Sequence, residues 1–168
     1  MTDSERDLIA RIQRAFHGVT LGGGISLNMT KYHDSGGSMK KYSERAKSDE
    51  REDWSRISDS TLEEFTVTFS FTDVKGFRFY LPAYMIWTIR NHRTSTSIIG
   101  DFTIYALTPD HYIFRDIGFI NAFDDEQFDC ITRFLAYCVE NDGSCDGTVA
   151  DDNLRKVRKA QPEHATDG

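Results

Sequence analysis

Apolar residues recur at helical spacing near both ends of the chain. The segment 4–16 carries apolar residues at i, i+1, i+4 and i+8, and Ser4 is a suitable N-cap for it. Toward the other end, Asp124 or Asp125 caps a longer helix that the sequence Asn141-Asp142-Gly143 ends. One apolar stripe runs along this helix, made of Phe128, Ile131, Phe134, Leu135, Cys138 and Val139. Both segments are predicted to be amphipathic helices on a common core.

The densest apolar segment, residues 76–87, lies between these helices and allows two interpretations. Alternating polar and apolar residues over 66–72 are typical of a strand, and a hairpin would turn at 73–76. Helical spacing over 77–88, with Asp73 as a suitable N-cap, instead favours a buried central helix, and Pro82 would kink it or open a second helix. We therefore predict a mainly α fold, with one short hairpin or small sheet as the α+β alternative.

Polar segments set the expected domain limits. Residues 1–142 are predicted to form a single globular domain, and residues 143–168 a flexible tail with few bulky aliphatic side chains, in which Leu154 to Ala160 could form one docking turn. The charged segment 40–53 is either a solvated helix or a mobile loop. No strand precedes glycines 22–24 and no Gly-Lys-Ser or Gly-Lys-Thr follows them, so a flexible linker is expected there rather than a phosphate-binding loop.

The composition of the chain indicates which class of partner it can bind. The 168 residues are 39% hydrophobic, enough for one core, and 20 Lys and Arg stand against 27 Asp and Glu, a net charge of -7. This charge repels nucleic-acid phosphates and anionic membranes but attracts basic proteins. The polar, acidic start does not resemble a secretory signal, and the longest apolar run is shorter than the ~20 residues of a membrane span. A cytoplasmic protein with a basic protein partner is expected.

Motifs for metal, cofactor or nucleophilic chemistry are lacking. The five histidines are isolated, so no metal site or cofactor is predicted: His17, His33, His92, His111 and His164. Three cysteines without CxxC spacing are expected to be buried thiols. The segment 24–28 misses the last glycine of a Gly-x-Ser-x-Gly turn. The sequence favours a binding protein over an enzyme.

Two groups of polar residues are candidates for function. Clustered carboxylates could attract a cationic partner: Asp59, Glu63, Glu64, Asp124, Asp125 and Glu126. Polar side chains flanking the apolar segment could line a pocket: Arg78, Tyr80, Tyr84, Arg90 and Asn91. Helix capping is a simpler explanation for the acids at 124–126, and ordinary packing is a simpler explanation for the second group.

Part of the chain resembles a bacterial domain family of unknown function. The resemblance covers roughly Leu8 to Val139 and rests on the segments Asp53-Trp54, Phe69-Ser70-Phe71, Asp73 and the run GFRFYLPAYM from Gly76 to Met85. Proteins similar to this chain often have proline at the position of Val74, which suits the first residue of a helix. The resemblance implies a small, mostly helical bacterial protein and brings no activity.

These observations lead to three functional hypotheses. The first is a non-enzymatic, acidic protein-binding module, most concretely a bacterial immunity protein or antitoxin that neutralises a basic toxin by masking it. The second is a small-ligand-binding protein or enzyme with a pocket around Arg78, Tyr80, Tyr84 and Arg90. The third is a structural subunit of a larger assembly. The sequence leaves the oligomeric state and the partner open.

Overall fold

The computed structural model describes residues 1–161, and this part of the chain forms eight α-helices and no β-strand. The helices are α1 (Asp3–Ala15), α2 (Leu27–Ser35), α3 (Met39–Ala46), α4 (Asp59–Glu64), α5 (Val74–Asn91), α6 (Ile99–Ala106), α7 (Asp125–Glu140) and α8 (Gly147–Ala160). Short 3₁₀ helices occupy Trp54–Arg56, Thr68–Ser70, Tyr112–Phe114 and Phe119–Ala122. The predicted mainly α class is confirmed, and the hairpin alternative is replaced by a 3₁₀ turn followed by α5.

Helix α5 is the centre of the fold. Asp73 caps it, because its Oδ1 atom accepts the backbone N–H of Gly76 at 2.8 Å and that of Ile25 at 3.1 Å. Pro82 lies inside the helix without ending it, and every residue from 79 to 89 is buried. The apolar segment is therefore helical and central, as its spacing predicts.

Other helices pack against α5 or against its neighbours. Helices α1, α4 and α6 contact it directly, while α7 packs against α1 and α8, and α8 also reaches α6. Helix α1 begins two residues earlier than expected. Its cap is Thr2, which forms a reciprocal capping box with Glu5. One apolar core connects α1, α5, α6, α7 and α8.

The loop containing glycines 22–24 packs on the first turn of α5, so the expectation of a flexible linker is corrected. A Cβ atom at Gly24 would lie 2.9 Å from the Cβ of Lys75, and one at Gly76 would overlap the Thr72 hydroxyl. A Cβ at Gly76 would also approach the carbonyl oxygen of Ile25 to 2.9 Å. Glycine is required at both places because the two backbones approach closely.

Residues 147–160 form helix α8, which corrects the prediction of a flexible tail from residue 143. Asp146 caps α8, accepting the N–H of Val149 at 3.1 Å, and a buried stripe packs it against the core: Ala150, Asn153, Leu154 and Val157. The Asn153 side chain donates to the carbonyl oxygen of Ile104 at 2.8 Å. The stripe contains too little bulky apolar surface to stand out in the sequence. Residues 162–168, including His164, lie outside the described residues.

The charged segment 40–53 begins as the expected solvated helix and continues as an ordered turn rather than a mobile loop. Its first half belongs to α3, which buries only Ala46. Beyond α3 the chain forms an ordered turn, in which one carboxylate oxygen of Glu50 accepts the backbone N–H groups of residues 51, 52 and 53 at 2.9–3.1 Å. Mixed charge here produces a solvated helix and a locally capped turn.

Cys130, Cys138 and Cys145 are free and buried, which confirms the expectation of buried thiols. Burial raises the pKa of the Cys130 thiol to about 11, so that thiol is unreactive at neutral pH. Among the helices of residues 1–161, none combines the length and the apolar character that crossing a bilayer requires.

Candidate functional site

The first predicted acidic cluster lies on α4, and part of it is unpaired. Ser58 caps this helix by accepting the N–H of Thr61 at 3.2 Å, and Asp59, Glu63 and Glu64 are all exposed. Glu64 pairs with the Lys31 ammonium at 3.1 Å. Within residues 1–161, Asp59 and Glu63 have no ion-pair partner. These two side chains are four residues apart and therefore lie on one side of α4.

Asp59 also borders a small pit between α4 and α5, with a cavity volume of about 90 Å³. Buried and half-buried apolar side chains form its floor: Trp54, Ile57, Leu62, Ala83 and Ile86. Exposed polar side chains form its rim: Gln13, Ser55, Asp59 and Arg90. The indole N–H of Trp54 donates to the carbonyl oxygen of Phe16 at 2.8 Å, which fixes the floor. An apolar floor with a polar rim is the arrangement found at anchor points of protein interfaces.

The second predicted acidic cluster begins with Asp124, which caps α7. Its carboxylate accepts the N–H of Gln127 at 2.9 Å and lies 3.8 Å from the guanidinium of Arg78. The Gln127 side chain completes a capping box and also donates to the carbonyl oxygen of Ala15 at 3.0 Å. Capping therefore accounts for Asp124.

Asp125 and Glu126 are exposed and share a cleft with two arginines of the chain. They line a cleft of about 300 Å³ between α1 and α7, and Arg11 and Arg14 line the same cleft. Asp129 lines the cleft as well, so three carboxylates lie there with two guanidinium groups. Of the two acidic clusters, the one on α4 is distinguished by the apolar pit that Asp59 borders.

The predicted pocket residues on α5 do not converge. Arg78 and Arg90 are twelve residues apart, which is about 18 Å along a helix. Arg78 donates to the Gln127 side chain at 3.1 Å, whereas Arg90 belongs to the rim of the pit. Asn91 bonds to its own helix, donating to the carbonyl oxygen of Trp87 at 3.0 Å.

Tyr80 and Tyr84 are buried in the core. The Tyr84 hydroxyl donates to the carbonyl oxygen of Phe65 at 2.6 Å and lies 2.8 Å from the hydroxyl of Thr68. Burial raises the pKa of both tyrosines. Within residues 1–161 the Tyr80 hydroxyl has no hydrogen-bond partner. Both rings have packing roles and neither reaches the surface.

A buried carboxylate, that of Glu5 on α1, contacts the turn after α5 and helix α7. Its Oε1 atom accepts hydrogen bonds from the Arg93 guanidinium at 2.7 Å and from the Tyr137 hydroxyl at 2.9 Å. Its Oε2 atom accepts the backbone N–H of Thr2 at 2.7 Å. Only 1% of Glu5 is exposed. Burial alone would raise the pKa of this carboxyl, but the bonds from Thr2, Arg93 and Tyr137 outweigh it and lower the pKa to about 2.

The network continues from Tyr137 to the surface through His92. The His92 Nε2 atom lies 2.7 Å from the Tyr137 hydroxyl, and Nδ1 lies 2.8 Å from the hydroxyl of Ser144. His92 is buried, whereas Ser144 is exposed in the loop between α7 and α8. Burial and the adjacent Arg93 guanidinium lower the pKa of His92, although the Glu5 charge acts in the opposite direction. We call Glu5, Tyr137, His92 and Ser144 the relay.

Sequence reasoning missed the relay because its members are scattered over 140 residues. In the sequence His92 is one of five isolated histidines, and Ser144 lies in the segment predicted to be a flexible tail. The spacing of Thr2 and Glu5, a capping-box pattern, is the one local signal that marks a member. No spacing rule connects the other three.

Comparisons with curated proteins and with solved structures find no match to this chain. A family model matches residues 4–159, a span that includes α4, the pit and every member of the relay. This span is wider than the expected Leu8 to Val139. The chain belongs to a family of unknown function, DUF6714.

Proposed function

We propose that this chain is a protein-binding module of the bacterial cytoplasm, most concretely an immunity protein or antitoxin that masks a basic toxin. The observation that carries the proposal is the pit beside α4, where an apolar floor adjoins the unpaired carboxylate of Asp59, with Glu63 one turn further along the same helix. The net charge of -7 adds a long-range attraction for a cationic partner.

The size of the pit suggests what it holds. About 90 Å³ is the room that roughly three water molecules take up in the liquid, enough for a short aliphatic segment. A lysine or arginine of the partner would lay its methylene stem on Leu62 and Ile86 and direct its charged head to Asp59. Glu63 would add attraction on the same side of α4, which speeds association more than it strengthens the final complex.

Affinity capture with charge-reversed variants tests this proposal. The tagged chain is immobilised and exposed to a lysate of the organism that encodes it, at low salt and at about 0.15 M ionic strength. Asp59→Arg changes the rim of the pit, and Asp116→Arg makes the same charge change at an exposed aspartate outside the pit lining.

We expect one stoichiometric basic protein, bound less at the higher salt. Asp59→Arg should weaken its capture by about tenfold, equivalent to 1.4 kcal/mol, while Asp116→Arg should have a smaller effect. Equal effects of the two variants would contradict the pit as the anchor. Failure to capture any basic protein at either salt would contradict the proposal itself.

A second candidate function, binding of a small polar ligand, is favoured by one further cavity. Its volume is about 520 Å³, within the range of small-molecule sites, and it lies between α2, α4 and the loop after α3. Side chains of both charges line it, among them Arg45, Arg56, Asp49 and Glu64. Its lining suits a zwitterionic ligand, whose binding would appear as a thermal stabilisation that Arg45→Ala removes.

A further inference from the structure

The relay has the geometry of an activated nucleophile. An exposed hydroxyl, that of Ser144, lies within hydrogen-bond distance of a buried imidazole, and a third group orients that imidazole from its other nitrogen. This order of nucleophile, base and orienting group is that of the catalytic triads in which a histidine activates a serine for acyl transfer. We propose that Ser144 is a reactive nucleophile, with His92 as its general base, that takes acyl groups from small carboxylic esters.

The hydrogen bonds specify where the protons lie. Glu5 is ionised and accepts the proton of the Tyr137 hydroxyl, so the Tyr137 oxygen must accept one from the His92 Nε2–H. In neutral His92 the Nδ1 atom is then the free acceptor, and it faces Ser144 at 2.8 Å. Because burial lowers the pKa of His92, the ring is neutral at pH 7 and able to accept a proton.

The Ser144 hydroxyl is free to donate its hydrogen bond to His92. It also lies 3.1 Å from the carbonyl oxygen of Asn141, but that oxygen already accepts the backbone N–H groups of Ser144 and Cys145 at 3.2 and 3.1 Å. The carbonyl therefore keeps two donors when the hydroxyl turns to His92. Gly143, with φ of +92°, makes the turn that places Ser144 beside the imidazole.

The acylation step balances without any further reactant. The Ser144 oxygen forms a bond to the ester carbonyl carbon, and its proton moves to Nδ1 of His92. The carbon–oxygen bond of the leaving alcohol breaks, and His92 returns the proton to that oxygen. Water then cleaves the acyl-serine by the same route. Tyr137 and Glu5 are positioning residues, since they hold the Nε2–H tautomer and stabilise the imidazolium that forms.

Two reagents test the proposal on the full chain. A fluorophosphonate traps reactive serines, because the serine oxygen displaces fluoride from phosphorus, and peptide mass spectrometry locates the adduct. Release of p-nitrophenolate from p-nitrophenyl acetate measures ester cleavage. The variants are Ser144→Ala, His92→Asn and Tyr137→Phe, each checked for folding by circular dichroism and thermal melting. Ser60, an exposed serine on α4, is the internal reference for ordinary reactivity.

We expect Ser144 to carry the adduct at least about 10²-fold faster than Ser60, and we expect His92→Asn to remove this advantage. Tyr137→Phe should slow the reaction and move the acid limb of its pH profile to lower pH, since the imidazolium loses its partner. A merely structural network would lower the melting temperature of these variants without any adduct at Ser144. That result, or a Tyr137→Phe variant with an unchanged rate and pH profile, would overturn the proposal.

Discussion

Replacing Glu5 with glutamine should destabilise the fold, although the side chain keeps its size. In the wild-type chain the two carboxylate oxygens accept three hydrogen bonds, from Arg93, Tyr137 and the Thr2 N–H. Glutamine offers one acceptor oxygen and turns an NH₂ group toward donors on the other side. At least one buried donor then loses its acceptor, and Arg93 loses its counter-charge.

Two routes give the size of the effect. A hydrogen bond that involves a charged group contributes about 1.5–3 kcal/mol to stability. Alternatively, lowering the pKa of Glu5 from 4.5 to about 2 corresponds to at most about 3 kcal/mol, which solvent screening at the half-exposed Arg93 reduces to about 1–2 kcal/mol. We therefore expect Glu5→Gln to lower the free energy of unfolding by about 2 kcal/mol at pH 7.

The pH dependence of this difference follows from the direction of the pKa change. The folded-state pKa is lowered, so the ionised carboxylate contributes its full stabilisation above the unfolded-state value of 4.5. The contribution is lost as pH falls through the folded-state value of about 2. By pH 3 about 40% of it should remain, and the wild type and variant should approach each other near pH 2.

Urea unfolding at pH 7 and at pH 3, followed by circular dichroism, measures both quantities. Glu63→Gln is the matched control, because Glu63 is exposed and unpaired within residues 1–161, and it should change stability by less than about 0.5 kcal/mol. The reasoning is refuted if Glu5→Gln costs no more than this control, or if its cost is the same at both pH values.

Two further substitutions test the core by the same unfolding assay. Gly76→Ala should lower the free energy of unfolding by about 1–3 kcal/mol, because the new Cβ atom has no room. At Gly23 a Cβ atom would have no neighbour closer than 4.0 Å, so Gly23→Ala should lower it by less than about 0.5 kcal/mol. Equal losses of stability would contradict the close backbone packing. Tyr84→Phe should cost about 1 kcal/mol, since it removes a 2.6 Å hydrogen bond to the carbonyl oxygen of Phe65 while the Thr68 hydroxyl still donates there at 2.8 Å. An unchanged urea midpoint for Tyr84→Phe would contradict this, because it would mean that the buried hydrogen bond makes no net contribution to stability.

Much of the fold could be predicted because local signals agreed with the tertiary structure. The apolar stripes of α1 and α7 have the helical period, and Asp73 and Asp124 have the side chains that cap helices. Helix α8 escaped prediction because half of its buried stripe consists of Ala150 and Asn153, which carry little hydrophobic signal. Its order depends on contacts with α7, the preceding helix, and with α6, which is remote in sequence.

The candidate sites were harder to predict because they depend on those remote contacts. The sequence identifies Asp59 as part of an acidic cluster, but the apolar floor beside it combines side chains of α4, α5 and a 3₁₀ turn. Glu5 and Ser144 come from opposite ends of the chain, and only the packing of α1, α5 and α7 connects them through Tyr137 and His92. The residue types in the sequence do not indicate which of these side chains the fold brings together.

Native mass spectrometry of the tagged chain, purified gently from the organism that encodes it, tests the central claim of protein binding most directly. The account predicts a one-to-one complex with a basic protein, whose population falls as the salt of the purification rises and falls further for Asp59→Arg. The free chain alone, under low-salt conditions in which the wild-type protein is folded, would contradict it.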